Sequence, residues 1–178
     1  MSIDLDRYGS EFTGDVAYRI DFSRHRKILP LQNGIPEVNN AWVAPNATLA
    51  GQVTLSKYST VWYGAVLRGD VNPIRVGYFS SIGDKTVIRT DHSLPQGLAA
   101  SVNIGKNVTI GANCVIHSSI IDDDCVIGDN VIIQQGARLE RGCQVLSNTV
   151  VVSGSLIPSG TVFGGSPAKF VRNLSEKE

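Results

Sequence analysis

Few side chains in this chain can bind a metal or move a proton, and they are widely spaced. Histidine occurs only as His25, His92 and His117, and cysteine only as Cys114, Cys125 and Cys143. An odd, unclustered set of three cysteines argues against a disulfide framework or a zinc knuckle. Each cysteine falls two residues before a regularly placed aliphatic (Ile116, Ile127, Val145), in a slot shared with Val108, Val131 and Ala137. That slot takes small residues, so all three thiols are expected as packed core. His25 sits in the basic run Arg24, His25, Arg26, Lys27. The run reads either as solvated surface or as a contact to an acidic partner surface or to lipid headgroups. His92 lies in a segment with no regular pattern, and His117 follows the aliphatic pair Val115-Ile116.

What must position these groups is a pulse of aliphatic residues every six positions. Val43, Leu49, Leu55, Val61 and Leu67 share one frame; Val76, Ile82 and Ile88 share a second, and Ile104, Ile110 and Ile116 a third. After a one-residue slip at Ile121 the frame continues through Ile127, Ile133, Leu139, Val145, Val151, Ile157 and Phe163. A helix repeats near 3.6 and a half-buried strand near 2, so neither explains a strict six. A six-residue period is the mark of a parallel β-helix, each hexapeptide forming one flat side of a coil. The expected fold is all-β: a single left-handed parallel β-helix over 41–164. A short N-terminal arm (1–40) precedes it, and a short C-terminal helix and tail (165–178) follow. At about 18 residues per turn the coil makes six or so turns and stands about 30 Å tall.

Other segments fall outside the frame. A short helix is expected at 15–24, and Asp4, Asp6, Glu11 and Asp15 are wrong for an organelle transit peptide. Arg89–Ser101, with proline, glycine and no frame residue, is expected to project as a loop. Ala168–Leu174 is expected to turn back along the coil as a short helix. Sixteen basic residues balance sixteen acidic ones, so no global field draws the chain to nucleic acid. No apolar run approaches the roughly 20 residues of a membrane span.

Several strings carry a family resemblance. WVAPNATLAGQVTL, VWYGAVLRGDVNPIRVG, SIGDKTVI, VNIGKNVTIGANCVIH and GGSPAKFVR together resemble the γ-type carbonic anhydrases over about residues 24–174. The most specific string is Gly64–Arg75 around Arg68-Gly69-Asp70. Ser23–Arg26 and Leu94–Leu98 are similar to the mitochondrial branch, whose members are subunits of respiratory complex I and trimerise on the matrix face of its membrane arm.

The resemblance implies a metal site that this chain has largely lost. Active members hold zinc at the trimer interface through three histidines, two from one subunit and one from its neighbour. By motif those positions are Arg89, Ala112 and His117, so one imidazole of three remains. A glutamine near the metal corresponds to Gly83, and an acidic proton-handling residue to Val71. The long C-terminal helix with its site-facing tyrosine has no counterpart before Glu178. Arginine cannot replace an imidazole, because its guanidinium stays protonated and offers no lone pair. No metal or other cofactor is therefore expected. In a mixed trimer, position 112 faces one neighbour while 89 and 117 face the other, so zinc could sit only at the interface between two other subunits. Arg68, Asp70 and Asp84 are retained and, in the family, tie adjacent subunits together.

The implied function is a non-catalytic carbonic anhydrase-like subunit of complex I. Its partners would be other γ-carbonic anhydrase-like subunits and membrane-arm subunits, with no nucleic acid. Three alternatives stay open. One is an active zinc enzyme hydrating carbon dioxide with ligands shared between subunits. Another is a coenzyme A acyltransferase, for which only His92 is placed to serve. The third is a cytoskeletal scaffold like the pointed-end subunits of dynactin.

Overall fold

The computed structural model describes residues 28–31, 34–93 and 100–174. The expected helix at 15–24, the basic run at 24–27 and the middle of the expected loop (94–99) lie outside the described residues. Within them the chain is all strand and coil, wound into a left-handed parallel β-helix.

One face is a ladder of seven parallel strands, running from Trp42–Val43 through Thr60–Val61, Ser81–Ile82, Thr109–Ile110, Val126–Ile127 and Gln144–Val145 to Thr161–Gly164. The coil therefore makes about seven turns. The other two faces are joined because strands Thr48–Leu55 and Val66–Val76 bend round a corner. Residues 66–68 pair with Val87–Arg89 on one side, and 74–76 pair with Val102–Ile104 on the other.

The frame residues explain the winding. They form three inward ladders: Val61, Ile82, Ile110, Ile127, Val145; Leu49, Leu67, Ile88, Ile116, Ile133, Val151; and Leu55, Val76, Ile104, Ile121, Leu139, Ile157. All of them are buried. A fully buried side chain of this kind contributes about 1.5–3 kcal/mol, so the stacked aliphatics are the main force holding rung on rung. The slot two residues earlier holds small groups, including Ala47, Ser59, Ser80, Thr86 and the three cysteines, all buried with every thiol free.

Rung length shows where the coil gives way. Partners lie 18 residues apart at Trp42 over Thr60 and at Val126 over Gln144, and 17 apart at Thr109 over Val126, the slip at Ile121. The step from Thr60 to Ser81 is 21 residues, because extra chain is taken up between Arg68 and Ile74. A Cβ on Gly69 there would overlap the Gln52 backbone. The step from Ser81 to Thr109 is 28, the site of the expected loop. That loop leaves the coil after Arg89, which is itself the last residue of strand Val87–Arg89.

Both ends depart from the expected outline. Strands Ile28–Leu29 and Glu37–Val38 already pair in parallel with Thr48–Leu55, so part of the stretch read as an arm is hydrogen-bonded to the coil. The expected helix at 168–174 is instead strand Lys169–Asn173, antiparallel to Thr161–Gly164. The last rung presents a row of open N–H and C=O groups, and a returning strand satisfies them. A seven-residue helix would leave them open and is marginal by itself. The reversal passes through Gly165 at φ 94°, and Phe170 packs edge-on against Phe163 with ring centroids 6.0 Å apart.

Candidate functional site

The residues matched by motif to the family's metal ligands come from two ladders. Inward-facing Leu67, Ile88 and Ile116 stack in register, so the residue after each lies in one outer column: Arg68, Arg89, His117. Successive members sit one rung, about 4.8 Å, apart. Ala112 belongs to a different corner, following Thr109–Ile110, where its amide donates to Asp129 Oδ1 at 2.7 Å. Within one chain, then, Arg89 and His117 are brought together and Ala112 is not. An open depression of about 370 Å³ is lined by Arg89, His117, Gln134, Gln135 and Ser153.

The sequence reading missed Asp91. Its Oδ2 lies 2.9 Å from His117 Nε2. The aspartate is held in place from several directions. Its amide donates to Ser118 Oγ at 2.9 Å, and the Asn72 side-chain amide donates to its carbonyl and to that of His92. Thr90 Oγ1 accepts from Asn72 N and donates to Arg68 O. The polar neighbours of the Arg-Gly-Asp corner thus pin the first residues of the loop. His92 is exposed.

The retained charges make bonds within the chain. Arg68 Nη2 meets Asp70 Oδ2 at 2.6 Å. Asp84 Oδ1 accepts from Tyr63 N at 2.8 Å, and its carbonyl accepts from Asn113 N.

These residues do not fit a zinc ion. Ala112 offers no side-chain lone pair and Arg89 presents a permanent cation, which leaves the His117 imidazole as the single donor of the three positions. Among the described residues of one chain, no three His, Cys, Asp or Glu side chains converge as a metal-binding group. The position matched to the family's glutamine is closed as well, since a Cβ on Gly83 would come 2.5 Å from the Gly111 backbone.

Comparison with known proteins fits this architecture. A family model described as dynactin subunit 5 matches residues 37–178. Gamma carbonic anhydrase 3, mitochondrial, of Arabidopsis thaliana is 44% identical over 175 residues, 98% of this chain and 68% of that protein. The chain belongs to the γ-carbonic anhydrase family. Gamma carbonic anhydrase-like 1, mitochondrial, from the same plant is 46% identical over 87 residues, 48% of this chain. That match spans about a third of the relative, 34%. Among solved structures, a hexapeptide transferase family protein from Anaplasma phagocytophilum superposes with a TM-score of 0.79 at 34% identity, covering 86% of this chain and 88% of its own.

Proposed function

We propose that this chain is a non-catalytic, carbonic anhydrase-like structural subunit of mitochondrial respiratory complex I, on the matrix side of the inner membrane. It assembles as a trimer with other γ-carbonic anhydrase-like subunits. The observation that carries the reading is Arg89 standing one rung above His117, in the column where the family's metal needs neutral imidazoles. A guanidinium there repels a divalent cation instead of ligating it. The relatives' mitochondrial names support the compartment.

In a mixed trimer this subunit spoils both interfaces it touches, leaving zinc only between two other subunits. Arg68, Asp70 and Asp84 serve assembly. The Arg68–Asp70 pair presents a fixed fork to a neighbour, and charged pairs of this kind set orientation and partner choice more than raw affinity.

The name of the 44% identical relative favours a second reading, an active zinc enzyme in which partner subunits supply what this chain lacks. Native-gel fractionation of mitochondria carrying a tagged copy tests the assembly. Co-migration with complex I and with untagged family members is the expected result. Recovery as a free homotrimer, or with actin-related filaments as the dynactin-named model would suggest, contradicts it.

A further inference from the structure

Cys125 and Cys143 stand one above the other inside the coil. The strands that follow them pair in parallel with Val126 opposite Gln144, so the cysteines occupy the same slot of adjacent rungs. The rung spacing of about 4.8 Å places their Cα atoms inside the 4.4–6.8 Å window that a disulfide spans. The two sulfurs are 3.6 Å apart. Reaching a bond of about 2.05 Å asks each sulfur to move by roughly 0.8 Å, a side-chain adjustment with no change of rung register. Both side chains are buried and both thiols free. Cys114 shares its slot with no second cysteine, since Thr86 and Val131 stand on either side of it; its sulfur meets the carbonyls of Gly128 and Ala112 at 3.1 and 3.6 Å, as that of Cys125 meets Glu140 and Asp123 at 3.2 and 3.5 Å.

The pair is also chemically asymmetric. The Cys143 thiol donates to the Cys125 sulfur, which favours the Cys125 thiolate and pushes that group down. The same hydrogen bond, together with burial, pushes Cys143 up.

We propose that Cys125 and Cys143 form a redox modification site, in which a peroxide converts the pair to an internal disulfide clipping two successive rungs. The Cys125 thiolate attacks one peroxide oxygen and the O–O bond breaks. The departing hydroxide takes up the proton released from Cys125, giving water and a sulfenic acid on Cys125. The Cys143 sulfur then attacks the Cys125 sulfur, the S–O bond breaks, and the leaving hydroxide takes the Cys143 proton as a second water. Two thiols lose two electrons and hydrogen peroxide gains them. The clip closes an 18-residue loop between the rungs.

The test uses the full chain exposed to hydrogen peroxide, then unfolded, alkylated and mapped by mass spectrometry. The expected product is one linked peptide pair containing Cys125 and Cys143, lighter by two hydrogens and released by dithiothreitol. Cys114 should remain alkylated, and a Cys114→Ala variant should give the same link. The oxidised protein should melt roughly 5–10 °C higher than the reduced one. Recovery of Cys125 and Cys143 alkylated after treatment overturns the proposal, as does their over-oxidation without a link, or a cross-link through Cys114 or between chains.

Discussion

Arg89 and His117 occupy the same outer slot of successive rungs, paired Cα to Cα, while His117 Nε2 turns to Asp91 at 2.9 Å. At the positions matched by motif to two of the family's ligands, this chain has a fixed cation beside a single imidazole. The coil beneath is undisturbed. The inward ladders run unbroken past this slot.

The inward stacks predict a steep cost for cavities. Ile127 is fully buried between Ile110 and Val145. Ile127→Ala removes three methyl-sized groups from a column with stacked neighbours above and below. It should destabilise the chain by about 2–5 kcal/mol in urea unfolding. A loss below about 1 kcal/mol would mean the ladders are not the stabilising core.

One corner column predicts a gain. Lys85, Asn113, Asn130 and Asn148 take nearly the same left-handed turn, with φ of 55°, 54°, 56° and 59°. Asparagine tolerates that conformation better than lysine, whose strain there is on the order of 1–2 kcal/mol. Asn130 already donates to Asn148 at 3.2 Å. Lys85→Asn should therefore stabilise the chain by up to about 1 kcal/mol, and Asn130→Ala should destabilise it by a similar amount. Matched denaturation curves check both signs.

The coil's period was readable because three repeating faces need apolar residues at fixed intervals whatever the rest of the sequence does. Val61, Ile82 and Ile110 announce themselves in that way. The strand at 169–173 did not, because Phe170 and Val171 are extended only to satisfy the open edge of Thr161–Gly164. At Arg89 and Ala112, the positions matched by motif to metal ligands, residue type is legible in the sequence alone. The place of Asp91 beside His117 is not, since it is set by contacts from Asn72 and Ser118, distant in sequence. The Cys125–Cys143 stack was half legible: the shared slot was visible, the sulfur contact was not.

Acid should weaken one inter-rung tie. Hydrogen bonds from Asn107 and then Arg141 hold the Asp124 carboxyl below its ordinary value. A depressed folded-state pKa contributes stability above the unfolded value and loses it as pH falls through the folded one. The difference in melting temperature between the native chain and an Arg141→Ala variant should thus be largest near neutrality. It should vanish below the ordinary aspartate range. A difference independent of pH would assign Arg141 a packing role instead.

Zinc content of this chain purified without partner subunits, measured by inductively coupled plasma mass spectrometry beside an Arg89→His, Ala112→His double variant, decides whether its own residues can hold the metal. The native chain should carry far less than one zinc per interface, and the double variant should gain zinc in proportion to trimer formed. Stoichiometric zinc on the native chain, lost on His117→Ala, would contradict the account.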